Sequence, residues 1–236
     1  MSTPMTELAW AAEGQARVER AVAGLDDLRA PSRLPGWTRG HVVTHLARNA
    51  DALLRLLTWA RTGVETPAYA SREARAAEIE AGASRPLPEQ LEDLRSTAAR
   101  FAAAAGELEP AHWEAVVRTS QGRTVPASTV AWMRVREVWL HLVDLDAGAE
   151  IDVLPDDVAT ALVRDVAAWM DSRVEQRVAL RVGEEPGEEP VAFGPADAEP
   201  VPVSGPAAEL AGWLTGRCSG SRLAAPDGLP ELPRWL

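Results

Sequence analysis

One stretch of the chain places a carboxylate within an otherwise apolar segment. Glu137 and His141 stand four residues apart, so on a helix their side chains lie one above the other. The residues around them leave little polar surface: Val138, Trp139, Leu140, Leu142 and Val143. Burying a carboxylate is costly unless a cation or a metal compensates its charge. The segment therefore favours a buried helix with a compensating group near Glu137. The alternative is an ordinary side-chain pair of Glu137 and His141 at a helix surface, which would stabilise the helix by about 0.2–0.5 kcal/mol.

A second helix-like run supplies histidines that can meet this carboxylate. His41 and His45 repeat the four-residue spacing, and His45 falls on a stripe of helical period that faces the core. Two imidazoles and one carboxylate are the ligand set of a catalytic zinc site, in which water or substrate takes the fourth position. The helix positions suggest His45, Glu137 and His141 as zinc ligands. A buried His45 that bonds to a protein acceptor is the alternative.

The other two histidines are expected outside the ligand set. His41 lies close to the start of its predicted helix, so we expect it to support a ligand or to face the substrate. His112 lies beside Pro110 in a predicted loop, and we expect it at the surface.

Four long helix-like segments predict a four-helix bundle in the first part of the chain. They run from Pro4 to about Leu28, from Thr38 to about Gly63, from about Glu89 to Ala105, and from Ser128, as the cap, to about Ala147. A short helix from Ser71 to Gly82 and a small hairpin within residues 113–126 are expected between them. Bundles of this kind commonly build metal sites from inward-facing side chains.

The sequence changes character after Asp152. A helix from Pro155 to about Glu175 is followed by short β-like runs at residues 178–182, 191–193 and 201–203, and Pro206 opens a last helix. We therefore predict a mainly α protein with two domains: a four-helix bundle at residues 1–152 and a small α/β (α+β) domain at residues 153–236.

Composition argues against several classes of function. The net charge of −11 and the pI of 4.9 argue against a nucleic-acid partner, which normally meets a basic face. No run approaches the roughly 20 apolar residues that span a bilayer, and the N-terminus lacks a signal-peptide pattern. We therefore expect a cytoplasmic protein with no membrane partner. Because Cys218 is the only cysteine, neither an internal disulfide nor a thiolate-rich zinc site can form.

Six segments together carry a family resemblance. They are residues 36–50 (GWTRGHVVTHLARNA), 59–67 (WARTGVETP), 121–128 (QGRTVPAS), 132–134 (WMR), 136–141 (REVWLH) and 233–236 (PRWL). These segments resemble the mycothiol-dependent maleylpyruvate isomerase family, within the DinB-like metalloenzyme superfamily. The resemblance covers nearly the whole chain and is most specific at residues 36–67 and 119–145.

The resemblance implies a fold, a site and a reaction. The fold is a DinB-like four-helix bundle followed by a small α/β domain. The zinc ligands fall on His45, Glu137 and His141, the set suggested by their helix positions, and a required arginine of the second domain falls on Arg217. The reaction converts maleylpyruvate to fumarylpyruvate in gentisate breakdown, with mycothiol as the thiol cofactor. The expected partners are mycothiol and this small dicarboxylate, and a monomer is expected.

The chemistry of this reaction gives roles to further residues. Zinc would lower the pKa of the mycothiol thiol, and the thiolate would add to the cis double bond before rotation and elimination. Since the chain has no lysine, arginine must neutralise the dianionic substrate, and Arg217 is the first choice. Arg39, Arg123 and Trp37 are predicted as cofactor-binding residues at the mouth of the site. Solvated surface charge for the arginines, and core packing for Trp37, are the alternatives.

Three other functions fit the same residues. A mycothiol S-transferase would begin with the same thiolate addition but retain the adduct. A zinc hydrolase would activate water and need no thiol. In a metal-free binding bundle the histidines would serve only as packing residues.

Overall fold

Helices make up most of the chain that the computed structural model describes, which comprises residues 4–183 and 189–235. The chain divides into two compact units, Met1–Gly148 and Ala149–Leu236. The predicted domain boundary after Asp152 falls just inside the second unit. The predicted fold class, mainly α with a small C-terminal α/β part, is confirmed.

The first unit is built from four long helices and one short helix. These are α1 (Met5–Ala23), α2 (Arg39–Thr62), the short α3 (Arg72–Ala83), α4 (Leu87–Gly106) and α5 (Thr129–Asp144). Helix α2 packs against α3, α4 and α5, while α1 packs against α4 and α5. A 3₁₀ turn at Pro110–Glu114 leads into a hairpin of β1 (Val116–Arg118) and β2 (Thr124–Pro126), in which Val117 pairs with Val125.

Helix α2 has a well-defined cap at each end. The Thr38 hydroxyl accepts from the backbone N–H of His41, and Nδ1 of His41 accepts from the backbone N–H of Thr38 at 3.1 Å. This reciprocal cap satisfies donors that the first helical turn leaves unpaired. Gly63 ends the helix in the left-handed conformation (φ 71°) that glycine adopts at no steric cost. The caps fix the position of His45 along the helix.

Helix α5 is held in register by close contacts on two sides. A Cβ atom at Gly14 of α1 would lie 2.5 Å from Cγ2 of Val138, so only glycine lets the two helices approach this closely. The indole Nε1 of Trp139 donates to the carbonyl of Trp10 at 3.0 Å. These contacts turn one side of α5 toward α1 and leave the side that carries Glu137 for α2.

Several helix ends differ from the sequence prediction. Helix α1 ends at Ala23, before Leu28, because Gly24 follows and the Asp27 carboxylate accepts from the backbone N–H of Arg29 in the next turn. Helix α4 begins at Leu87, since Pro88 is tolerated in a first turn, where backbone N–H groups lack helical partners.

The second unit and the start of α5 show further differences. Helix α6 (Asp156–Met170) ends before Glu175, and the Asp171 carboxylate beyond it accepts from the backbone N–H of Gly194. Ser128 occupies the N-cap position of α5, but its side chain makes no capping hydrogen bond because its backbone is already helical (φ −55°, ψ −29°).

The second unit places two helices against a small sheet. The sheet comprises β3 (Val178–Val182), β4 (Val191–Phe193) and β5 (Val201–Gly205) in the order β4-β3-β5. Strand β3 runs antiparallel to β4 and parallel to β5. Helix α6 packs against β4 and against α7 (Ala207–Thr215), which also contacts β3 and β5. No helix in the described ranges is long and apolar enough to cross a membrane.

Candidate metal centre

Helices α2 and α5 bring the three predicted ligands to one point. Nε2 of His45 lies 2.8 Å from Oε2 of Glu137, and Nε2 of His141 lies 3.3 Å from the same oxygen. The two imidazole rings meet edge to face at a centroid distance of 4.7 Å. One ligand atom from each residue lies within 4.8 Å of the other two. The arrangement offers two nitrogens and one oxygen to a single cation.

A buried arginine on α5 fixes how α5 is aligned lengthwise against α2 next to this centre. The side chain of Arg134 is 2% exposed, one turn before Glu137. Its guanidinium donates to the Leu46 carbonyl at 2.9 Å, to Oδ1 of Asn49 at 2.8 Å and to Oε1 of Gln15 at 2.8 Å. Because these acceptors belong to α1 and α2, Arg134 joins three helices directly below the candidate ligands.

Asp144, which was not among the site residues predicted from the sequence, orients His141. Nδ1 of His141 donates to Oδ2 of Asp144 at 2.9 Å, and the Asp144 side chain is only 2% exposed. In the neutral imidazole this bond holds the proton on Nδ1, so the lone pair of His141 is on Nε2, the nitrogen nearer Glu137. A buried carboxylate behind a histidine is the arrangement that orients metal-ligating imidazoles in many proteins. The i,i+3 spacing of His141 and Asp144 was the available sequence signal.

Arg75 was also missed, because it comes from the short helix α3. A terminal guanidinium nitrogen of Arg75 lies 3.1 Å from Nδ1 of His45. The same guanidinium lies over the ring of Tyr69, 5.7 Å from its centroid. Arg75 therefore contacts a candidate ligand on the side opposite Glu137. No local pattern links it to His45, which is distant in sequence.

Two aromatic rings from the start of α2 flank the centre. The Trp37 indole lies 5.5 Å from the His45 ring and stacks on His41 at 6.1 Å. Nε2 of His41 lies 3.1 Å from a carboxylate oxygen of Glu80, while its Nδ1 caps α2. His41 therefore supports Trp37 and the helix start and lies outside the three-residue cluster.

The electrostatics of the cluster favour a negatively charged Glu137. Burial raises the pKa of the Glu137 carboxyl, but the neighbouring His45 and His141 outweigh this and hold the pKa well below its usual range. Burial lowers the pKa of His45 despite Glu137. Burial also lowers the pKa of His141, but hydrogen bonds to Asp144 and Glu137 outweigh burial and leave this pKa raised. Glu137 is thus anionic and lies between two imidazoles.

The other predicted site residues lie in varied surroundings. The Arg39 guanidinium donates to the carbonyls of Leu145 and Asp146 and so joins the start of α2 to the end of α5. Arg123 is exposed in the β1–β2 turn. Arg217 follows α7 in the second unit and donates to the Thr215 carbonyl at 2.8 Å. Their predicted roles in binding substrate or cofactor stay predictions.

His112 and Cys218, the other two residues considered in the sequence, make structural contacts. Nδ1 of His112 accepts from the backbone N–H of Glu109 and caps the 3₁₀ turn. Cys218 is a free, partly exposed thiol whose pKa is raised, chiefly by burial. A raised pKa disfavours the nucleophilic thiolate.

The donor set fits a divalent metal such as zinc. Zinc accepts imidazole nitrogen and carboxylate oxygen, and three protein ligands leave one position open for chemistry. The neutral tautomer of His141 has its lone pair on Nε2, as coordination there requires, and Glu137 supplies the negative charge. The contact between Arg75 and Nδ1 of His45 conflicts with this ligand set.

An apolar cavity in the first unit is separate from this centre. It has a volume of about 850 Å³, lies between α1 and α4, and is lined largely by alanine and leucine side chains together with Phe101. None of the three candidate ligands borders it. Gln15 and Arg134 border it, so the clamp below the candidate ligands forms part of its wall.

Comparison with known proteins identifies the family. The model of the mycothiol maleylpyruvate isomerase N-terminal domain matches residues 11–146, which is more than half of the chain. The chain belongs to the mycothiol maleylpyruvate isomerase family. The family predicted from the sequence is thereby confirmed, and it is a family of enzymes.

Solved structures of the family resemble the whole chain. A crystal structure of a mycothiol-dependent maleylpyruvate isomerase matches with a TM-score of 0.88 and 35% identity, covering 98% of this chain and 97% of that one. A variant of such an enzyme with one histidine replaced by alanine gives a TM-score of 0.87 and 34% identity at the same coverage. No curated protein gives a significant match. The likeness thus extends through both units.

Proposed function

We propose that this chain is a zinc- and mycothiol-dependent isomerase that converts maleylpyruvate to fumarylpyruvate. The observation that carries the proposal is the likeness, at 35% identity over 98% of the chain, to a mycothiol-dependent maleylpyruvate isomerase. The cluster of His45, Glu137 and His141 supports it, because this donor set suits a metal that activates a thiol. The reaction would belong to gentisate breakdown.

The proposed reaction leaves the thiol unchanged. The mycothiol thiolate forms a C–S bond to one carbon of the cis double bond, and the displaced electron pair moves into the adjacent carbonyl. Rotation about the resulting C–C single bond follows. Return of the electron pair expels the thiolate and restores the double bond as the trans isomer. Bound zinc would supply one function, lowering the pKa of the thiol so that thiolate exists at neutral pH.

The residues of this chain provide the ligands and the charge around the reacting groups. His45, Glu137 and His141 would hold the metal, with Asp144 fixing the tautomer of His141. Arg217 is proposed to bind a substrate carboxylate, since arginine can grip a carboxylate through two parallel hydrogen bonds. Arg39, Arg123 and Trp37 are proposed to contact mycothiol. Of these, Trp37 packs against His45 and has the most direct support.

The decisive experiment is turnover of maleylpyruvate by zinc-loaded protein with and without mycothiol, with fumarylpyruvate as the measured product. Thiol-dependent turnover that is lost in His45→Ala and Glu137→Ala but kept in His112→Ala would support the proposal. His112 is the matched control because it caps a separate 3₁₀ turn. A thioether product that retains mycothiol would replace the isomerase with an S-transferase. Turnover without thiol would indicate a hydrolase, and failure to bind zinc would leave a metal-free bundle.

A cytoplasmic location and a monomeric state complete the proposal. Cys218 is the only cysteine and is a free thiol, which suits a reducing compartment. Size-exclusion chromatography with light scattering tests the oligomeric state.

A further inference from the structure

The contact between Arg75 and His45 fixes the tautomer of His45. A guanidinium has donors only and no acceptor, so a hydrogen bond from Arg75 requires a lone pair on Nδ1 of His45. In a neutral imidazole the proton is then on Nε2, which donates to Oε2 of Glu137 at 2.8 Å. This tautomer offers no lone pair on the nitrogen that faces Glu137 and His141.

Metal coordination at the same nitrogen requires the opposite tautomer. A cation held between His45, Glu137 and His141 takes the lone pair of His45 on Nε2 and so leaves the proton on Nδ1. A protonated Nδ1 cannot accept from Arg75. The Arg75 contact and coordination through Nε2 are therefore mutually exclusive, and the guanidinium must leave His45 when a metal binds.

The surroundings of Arg75 leave its charge available to an external anion. Within the described part of the chain, the guanidinium contacts His45 and Tyr69, and no ion pair joins it to a carboxylate. Arg75 is only partly buried, so its side chain can change rotamer without opening the core. The guanidinium lies on the Nδ1 side of His45, away from Glu137, so its side chain must rotate around the imidazole to reach a group bound at the open metal position.

We propose that Arg75 binds a carboxylate of the substrate beside the metal, and that metal binding at His45 releases it for this role. The inference rests on the proposed function and names a specificity residue for the dianionic substrate. Guanidinium and carboxylate match in geometry and charge.

The test compares Arg75→Gln with Arg72→Gln. Arg72 is an exposed arginine one turn earlier on α3, so both variants remove one positive charge from the same helix. Two affinities are measured for each protein. Zinc affinity is obtained by competition with a chromogenic chelator, and the affinity of the zinc-loaded protein for maleate, a cis-dicarboxylate probe, is obtained by calorimetry. The KM for maleylpyruvate is measured in parallel.

We expect Arg75→Gln to bind zinc as tightly as the wild type or several-fold more tightly, because a competitor for His45 is removed. Its affinity for maleate should fall by about tenfold or more, the loss typical of a charge-assisted hydrogen bond, while Arg72→Gln matches the wild type. A parallel loss of zinc affinity would make Arg75 a structural support of His45 and overturn the proposal. Wild-type protein that binds maleate no better than Arg75→Gln would also overturn it.

These readouts separate the inference from the proposed function. If wild-type protein fails to isomerise maleylpyruvate but binds maleate through Arg75, the isomerase assignment is wrong and the anion site stands. If isomerisation proceeds and Arg75→Gln retains both its KM and its maleate affinity, the assignment stands and the role of Arg75 is wrong.

Discussion

Replacement of Asp144 by asparagine should weaken metal binding without unfolding the bundle. The Asp144 side chain is almost fully buried and accepts from Nδ1 of His141 at 2.9 Å. Asparagine has the same shape, and its carbonyl oxygen can accept the same hydrogen bond. What it removes is the negative charge behind His141, which makes the imidazole a stronger donor to a metal. The variant therefore isolates an electrostatic contribution.

The size of the effect follows from the position of Asp144. Removing a group that supports a ligating histidine typically weakens metal affinity by about 10–100-fold. At free zinc about 100 times the wild-type Kd, bound zinc stabilises the wild type by about 2.7 kcal/mol. At the same free zinc, a Kd raised about 10–100-fold reduces this to about 1.4–0.4 kcal/mol. For a chain of this length, each kcal/mol of added stability raises Tm by about 2–4 °C. Zinc should therefore raise Tm by about 5–11 °C in the wild type and by about 1–6 °C in Asp144→Asn.

The assay combines chelator competition with thermal unfolding monitored by circular dichroism, each with and without zinc. Loss of the Asp144 charge also lowers the pKa of His141, which by itself reduces proton competition with the metal. Zinc affinity should therefore be compared over a series of pH values above neutral, so that proton competition at His141, whose pKa is raised in the wild type, is separated from the loss of donor strength. Asp146→Asn is the matched control, because Asp146 is an exposed neighbour that pairs with Arg33. Zinc affinity of Asp144→Asn within threefold of the wild type would refute the reasoning.

Three further substitutions test the scaffold around the site, with His45→Ala as the comparison for zinc binding. Arg134→Met should lower the free energy of unfolding by about 2–4 kcal/mol in urea titrations, because it leaves buried acceptors on two helices unpaired; a loss below 0.5 kcal/mol would contradict a clamping role. Gly40→Ala should cost about 1–3 kcal/mol in the same assay, since a Cβ there would lie 2.2 Å from the Ala83 carbonyl oxygen. His41→Ala should cost about 1 kcal/mol through loss of half the α2 cap. Its zinc affinity should stay at the wild-type value, whereas His45→Ala should abolish zinc binding.

The bundle and its central cluster were predictable because local patterns encode them. The Thr38 cap and the apolar stripe of α2 define where that helix begins and which way His45 faces. Glu137 and His141 share a face of α5 by spacing alone. The two helices then come together because the apolar face of each is buried against the other. The family resemblance at residues 36–67 and 119–145 identified the same elements independently.

The supporting residues were harder to predict because they depend on packing between elements. Arg75 reaches His45 only because α3 packs against α2, and the sequence of α3 is too polar to show which face is buried. Asp144 is a local neighbour of His141, yet an acidic residue near a helix end is usually solvent-exposed. The helix ends at Gly24 and Asp171 were missed for a related reason, since side-chain and tertiary hydrogen bonds stop those helices before the pattern does.

Helix α5 carries two opposite charges on its inner side, a fully buried Arg134 and a partly buried Glu137, and each charge is stabilised in a different way. Arg134 lies one turn from Glu137, so a direct ion pair between them would have neutralised both. Its hydrogen bonds instead go to Gln15, Leu46 and Asn49, which are neutral acceptors. Burial lowers the pKa of Arg134 to about 10, which leaves the side chain charged at neutral pH. Because Arg134 is used in this way, the charge of Glu137 remains for the two histidines and for the cation that we propose they bind.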